Sequence, residues 1–377
     1  MMTKIWKYKW WIAGFLVFLY PFYFQLISKI TGLNLGELYT FGLPLNEFMT
    51  VWIALGGIIG VVFNITLMQK RINKTDDQIQ IQQKQLRDNR FSSGVELLGN
   101  SNESARIGGA YNLYFLANEY PDEYLNPVCE ILCAHIRTIT SDKDYQEKYK
   151  EKPSNEIYTI LKHLLFRKNK SDKLIFDGCK KNLTEVFLCG IDFRNNTLSN
   201  VYFWNATLNN VYFDNAILNN IDFQFAELNR VYFISAKLNN ASFSFISELS
   251  DARFDNAELD NVDFDGTVLS VVSFGGAKLN GVRFVSATLN GVHFSKIIES
   301  NNVNFGAARL RKVFFVGAEI SDVCFGGAEL SDVCFSFARL SRYDFSSTSL
   351  EDYSIEEITQ KGRSLELTKS EKESKDE

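Results

Sequence analysis

The chain has 377 residues, 46% of them hydrophobic, and a formal charge of −5, so a sizeable core and more than one structural unit are expected. This mild acidity excludes the basic stripe that a nucleic-acid binder needs, and no direct nucleic-acid binding is expected. The six scattered cysteines, Cys129, Cys133, Cys179, Cys189, Cys324 and Cys334, read as reduced thiols and not as a secreted disulfide framework.

Residues 10–28 are rich in Trp, Tyr, Phe and Leu and carry no charge, and Met49–Met68 is a second uncharged run. Runs of about twenty apolar residues match the hydrocarbon core of a bilayer. Residues 1–68 are therefore expected to form a two-span transmembrane hairpin, with Pro21 tolerated inside a membrane bundle and Trp6, Trp10 and Trp11 in an interfacial belt. A cleaved signal peptide is the competing reading, though no small-x-small cleavage site follows the apolar run and the second span comes soon after it. Lys4, Lys7 and Lys9 precede the first span and Lys70, Arg71 and Lys74 follow the second, whereas the connecting loop holds Glu37 and Glu47. By the positive-inside rule both termini are expected in the cytoplasm. Gly56 and Gly60 form a G-x-x-x-G pair in the second span, a candidate for close helix packing and homo-oligomer formation. Asn64 either hydrogen-bonds across helices or lies among headgroups.

Residues 69–90 read as a juxtamembrane stalk helix. Ile65, Ile72, Ile79 and Leu86 recur every seventh residue, which gives one apolar edge and not a full coiled-coil seam. From 91 to 170 the period is helical: Val128, Ile131, Leu132, His135, Ile136 and Ile139 share one face, and Ile157, Ile160, Leu161, Leu164 and Leu165 another. Ser154 is the expected N-cap of the latter helix. This region is read as a small helical adaptor that caps the C-terminal half of the chain.

From Leu183 to Leu350 an apolar residue returns every fifth position, with a small or β-branched one two places before it. Ala206-Leu208, Val211-Phe213, Ala216-Leu218 and Ile221-Phe223 show the beat, which neither the helical nor the strand period produces. Such a unit is a short extended stretch and a corner, and it buries a core only when stacked on its neighbours. These residues resemble the pentapeptide-repeat family, whose unit reads A-(D/N)-L-x-x; the match covers about 170 residues. The resemblance implies an all-β right-handed quadrilateral β-helix over 171–350, with four repeats and twenty residues per coil. The departure is at the position before the central residue, which is often Tyr or Glu and only sometimes Asp, as at Asp192, Asp222 and Asp263. The stretch from Arg90-Phe91 to Ala110-Tyr111 is similar to one that often precedes the repeats in bacterial membrane-bound members.

Phe recurs every tenth residue, so the twenty-residue coil that the resemblance implies should stack Phe193, Phe213 and Phe233 in one column and Leu198, Leu218 and Leu238 in a neighbouring one. At a strand separation of ~4.8 Å, eight-odd coils make a rod roughly 40 Å long. The beat slips by one residue between Phe243 and Phe254 and between Phe294 and Phe305. Both slips are read as corner bulges, around Ile246 and Ile298, which are the candidate interaction positions because a bulge re-aims the surface. Asn219 and Asn239, twenty apart, should stack as an amide ladder. After Leu350, residues 351–377 are expected to cap the last coil and then continue as a disordered charged tail.

Nothing in the chain reads as catalytic. His135, His163 and His293 are widely separated, and Cys129, Cys133 and His135 have metal-like spacing without a second ligand pair. No P-loop, G-x-S-x-G or H-E-x-x-H is present, and no metal or cofactor is expected. Asp255, Asp265, Asp322 and Asp332 project outward on a solvated face, too far apart for paired acid/base work.

The leading expectation is a non-enzymatic scaffold, anchored in the lipid bilayer, whose cytosolic rod meets an unidentified cytosolic protein partner. The family resemblance also implies an alternative, since its quinolone-resistance members are understood as DNA mimics that engage topoisomerases such as gyrase. Between Leu183 and Leu350, however, 18 Asp/Glu stand against 12 Lys/Arg, sparse beside duplex DNA with one charge per ~1.7 Å. A third reading is an oligomerising membrane effector that alters permeability. An enzyme could reside only in the helical middle.

Overall fold

The computed structural model describes residues 45–166 and 174–350, together with the helical positions Leu19, Tyr23, Leu26, Lys29 and Ile30. The rest of the first predicted span, the loop up to residue 44 and the tail from residue 351 lie outside the described residues. The chain divides into two compact units, Met1–Leu86 and Arg87–Glu377.

Helix α1 spans Leu45–Leu98, 54 residues without a break. The second predicted span and the predicted stalk are thus one helix. Among the described residues it alone is long and apolar enough to cross a membrane. Ile65, Ile72, Ile79 and Leu86 are all exposed, so the seven-residue apolar edge has no cover among the described residues. Thr66, inside the apolar run, satisfies its hydroxyl by donating to the Val62 carbonyl at 2.8 Å.

The second unit begins with the last turns of α1, followed by α2 (Glu103–Glu119), α3 (Pro121–Thr140), α4 (Lys143–Lys148) and α5 (Asn155–Leu165). Caps explain the starts. Asn102 accepts from the Ser104 and Ala105 amides, Pro121 occupies the first turn of α3, and Ser154 accepts from Ile157 at 3.3 Å. The apolar faces read from the sequence are the buried ones: Val128, Leu132, Ile136, Ile157, Ile160, Leu161, Leu164 and Leu165 are each at most 1% exposed. A Cβ on Gly109 would stand 2.7 Å from the Gly94 carbonyl oxygen, so only glycine lets α1 and α2 approach this closely.

Residues 181–350 form a parallel β-solenoid of about eight coils. Thr197–Tyr202 pairs with Ile217–Asp222, Leu198 opposite Leu218 and Val201 opposite Ile221, an offset of one twenty-residue coil. Two parallel sheets of seven strands follow the stack, one from Lys181 to Asn301 and one from Leu228 to Leu350, and a third of three strands lies between Val303 and Asp344. In each repeat the small residue and the central residue point inward, and the residue two places after the centre turns the corner with positive φ. Non-glycine corner residues have φ between 49° and 60°, a region that Asn tolerates better than most residues. Phe corners are closed further: the Ala206 amide donates to the Phe203 carbonyl at 3.0 Å across Trp204 and Asn205.

The core is two phenylalanine columns. Phe213 and Phe233 stack at 5.0 Å with planes 5° apart, and Phe203 stacks on Phe223 at 5.5 Å. The columns meet edge to face, as Phe223 and Phe233 do at 6.1 Å and 79°. Both arrangements suit the ring quadrupole, at ~0.5–1.5 kcal/mol per pair beyond the area buried.

The open top of this core is closed by the adaptor. Phe166, one residue past α5, stacks on Phe193 at 5.2 Å. Lys181 occupies the first inward position and is 1% exposed; its ammonium donates to the Cys179 and Ser199 carbonyls, each at 3.0 Å.

Candidate interaction surface

The groups that invite a chemical reading are structural. Glu156, 2% exposed, receives Arg106 through two hydrogen bonds of 2.8 and 2.7 Å and His135 Nε2 at 2.5 Å. Burial alone would raise its carboxyl pKa, but the His135 and Arg106 hydrogen bonds prevail and hold it below the usual glutamate range. His135, placed by the sequence on an apolar face, is therefore a partner to a buried carboxylate that pins α2, α3 and α5 together.

Cys129 donates to the Lys180 carbonyl at 3.9 Å; the neighbouring Cys133 raises the Cys129 thiol, and Cys133 is itself lowered by that neighbour. Burial pushes Cys179, beside them, up to about 11, and burial also lowers the Lys181 ammonium. All six cysteines are free thiols. Among the described residues no group of three or more His, Cys, Asp or Glu is placed to hold a metal ion. His293 stacks on Phe314 at 4.7 Å and lines an open groove of about 420 Å³ with Arg230, Tyr232, Arg253 and Ser273.

Both slips of the beat are single-residue insertions, seen as a change of offset from twenty to twenty-one: Leu228 pairs with Leu249 and Lys278 with Glu299. Their candidate residues differ in placement. Ile246 is 0% exposed, because it fills the inward small-residue position that Ala226 fills one coil earlier. The outward residues at that bulge are Ser247 and Glu248. Ile298 is 61% exposed, and the inward place beside it belongs to Ile297 at 1%. Here Ser300 stands opposite Leu279, and its hydroxyl bonds the Glu319 carbonyl and the Ser321 amide. Gly56 and Gly60 lie in α1, and a Cβ on Gly60 would meet nothing within 4 Å.

Among the described residues six outward carboxylates are ion-paired with a neighbouring coil. Arg283 pairs with Asp265, Arg342 with Asp322 and Arg309 with Glu329. Asn239 donates to Asn219 at 2.8 Å and Asn220 to Asn200 at 3.2 Å, the expected ladder. Asn200, Asn210, Asn220 and Asn240 are also left-handed corners, a second role for asparagine that the sequence reading did not assign.

Sequence reasoning also missed an aromatic ridge on the outside. Trp204, Phe225 and Phe245 are 39%, 44% and 54% exposed. Trp204 meets Phe225 edge-on at 5.7 Å, and Phe225 stacks on Phe245 at 5.5 Å. The signal was there: Phe225 and Phe245 stand two places after a core Phe, where Asn or Gly is usual in this chain.

A parallel solenoid with five-residue faces and inward Phe or Leu at each centre defines the class. A family model for pentapeptide repeats matches eight copies, over residues 206–244, 247–284 and 301–336, and the chain carries a domain of that family. The second insertion, beside Ile298, falls in the unmatched stretch between the last two segments, and the first, at Ser247 and Glu248, lies at the start of the second segment. The chain is similar to three solved structures. HetL, a pentapeptide repeat protein involved in heterocyst differentiation regulation from the cyanobacterium Nostoc sp. strain PCC 7120, shares 22% identity over 45% of this chain and 82% of its own, with TM-score 0.25. A pentapeptide repeat protein from the Arabidopsis thaliana thylakoid lumen shares 29% over 26% and 66%, with TM-score 0.24. QnrB1, a plasmid-mediated fluoroquinolone resistance protein, shares 18% over 47% and 95%, with TM-score 0.25. No curated protein matches the chain.

Proposed function

We propose that this chain is a non-enzymatic scaffold, anchored in a membrane by α1 and the apolar run before it, whose solenoid presents a fixed surface to a cytosolic protein. The observation that carries the anchor is the uncovered apolar stretch of α1: Ile58, Ile59, Val61 and Val62 are 57–68% exposed, an apolar surface that water disfavours and lipid accepts. The basic residues flanking the two apolar runs support cytoplasmic termini. The solenoid suits binding better than catalysis, since its side chains are committed to stacked core, amide ladders and ion pairs. Those ion pairs weaken the topoisomerase alternative, because they neutralise much of the acidity that a DNA mimic would display.

Two measurements test this reading. After alkaline carbonate extraction the full chain is expected in the membrane pellet; release into the supernatant would remove the anchor. Proximity labelling from the C-terminal tail in the native cell should mark a reproducible set of cytosolic proteins, and deletion of residues 174–350 should abolish it. Labelling of the protein itself and nothing else overturns the scaffold.

A further inference from the structure

We propose that the corner carrying Trp204, Phe225 and Phe245 is a docking ridge for a protein segment that combines Lys or Arg with apolar side chains. The proposal deepens the scaffold reading and rests on it. Asn205, Phe225, Phe245 and Gly266 turn the same corner in successive coils. Asparagine and glycine are the residues this backbone favours, and phenylalanine at φ 59° and 58° is conformationally disfavoured there. The two rings gain contact with each other, and Phe245 lies over Gly266, where an added Cβ would be 2.9 Å from the ring. Yet about half of each side chain faces water, so little core burial offsets the strain. Strained, exposed aromatics that the fold does not require mark a surface kept for contact.

Charge selects the partner. The outward positions bordering this corner, coil by coil from Asn182 to Gly266, include Glu185, Asp222, Glu227, Glu248, Asp263 and Asp265 and no Lys or Arg. Only Asp265 is neutralised, by Arg283 from the next coil. Glu227 and Glu248 are satisfied by hydroxyls alone, those of Thr207 and Ser250. The insertion at Ser247 and Glu248 adds one more outward residue beside Phe245. A cationic side chain can lie over the ring faces, bordered by carboxylates, while an apolar neighbour packs along the ridge. An anionic lipid surface is repelled by the same carboxylates.

The test uses the full chain in nanodiscs of zwitterionic lipid and a fluorescent peptide of alternating Arg and Leu, with its Glu-Leu counterpart as control. Phe225→Asn/Phe245→Asn installs the residue already accepted at Asn205, so thermal stability should be unchanged or higher. The wild type should bind the Arg-Leu peptide and not the Glu-Leu one. The double variant should bind it about tenfold or more weakly, as should Glu227→Lys/Glu248→Lys. Equal binding of both peptides, binding indifferent to the Asn substitutions, or a marked stability loss in the Asn variant each overturns the ridge. So does capture of phosphatidylserine vesicles by the wild type and not by the Asn variant, which would assign the ridge to lipid. Solenoid-dependent proximity labelling that survives in the Asn variant removes the ridge and leaves the scaffold standing.

Discussion

The Glu151 carbonyl oxygen lies where a side chain on Gly190 would begin: a Cβ built there stands 1.7 Å from it. Gly190 also has φ +67°, so this corner of the first coil is left-handed and pressed against the loop that precedes α5. Gly190→Ala is expected to destabilise the second unit by about 3 kcal/mol, ~1–2 from left-handed alanine and the rest from overpacking. Urea unfolding monitored by far-UV circular dichroism measures it. A loss no larger than at an open left-handed corner such as Gly317 would show that the adaptor does not seat on this coil.

Much of this interior could be read before any coordinates, and the reason is its period. With the twenty-residue coil that the family resemblance implies, a beat of five places Phe213 over Phe233 and Leu218 over Leu238, and both relations hold. What escaped reading has non-local causes. Lys181 looks like a surface lysine, because its acceptors belong to Cys179 and to Ser199 of the following coil. His135 looked like a core residue, since Glu156 lies 21 positions away on another helix. Period alone does not say which neighbour at a slip of the beat turns inward. Ile246 does, and Ile298 does not.

The same corner logic predicts a stabilising change. Val271 is β-branched, 64% exposed and held at φ 56°, an unfavourable conformation for valine. Val271→Asn should raise stability by about 1 kcal/mol, because little buried surface is lost and the replacement suits the backbone. A drop in the thermal midpoint would mean that the valine makes an interaction which outweighs its strain.

Position relative to the phenylalanine columns should separate large effects from small ones. Phe264 is fully buried, stacked on Phe243 at 4.9 Å and on Phe284 at 5.0 Å. Phe264→Ala should cost about 3–5 kcal/mol. Arg309→Ala breaks a pair in which both side chains are more than 60% exposed, and its cost should lie within ~1 kcal/mol. Equal losses would contradict a solenoid held chiefly by its core.

Thiol chemistry can map the burial directly. Cys129, Cys133, Cys179 and Cys189 are at most 3% exposed, whereas Cys324 and Cys334 are half-buried. An aromatic disulfide reagent should titrate two thiols quickly in the native protein and the other four only on unfolding. Burial raises the Cys324 thiol, so its reaction should speed up markedly as the pH is raised above neutral. Fast reaction at Cys179, which burial holds up at about 11, would mean that the junction between adaptor and first coil opens readily.

The adaptor should also carry an acid-sensitive element. Glu156 has a folded pKa below its ordinary value, because the hydrogen bonds from His135 and Arg106 prevail over burial. A depressed carboxylate contributes stability that is complete above the unfolded value, about 4.3, and that is lost as pH falls through the folded one. Wild-type stability should therefore decline below about pH 4 by more than that of Glu156→Gln, whose side chain does not titrate. At neutral pH the substitution should cost about 3 kcal/mol, since it leaves the Arg106 guanidinium partly buried without its counter-charge. Urea unfolding of both proteins across pH 3 to 7 makes the comparison. Parallel stability profiles would show that the protonation state of this carboxylate is not what holds α2, α3 and α5 together.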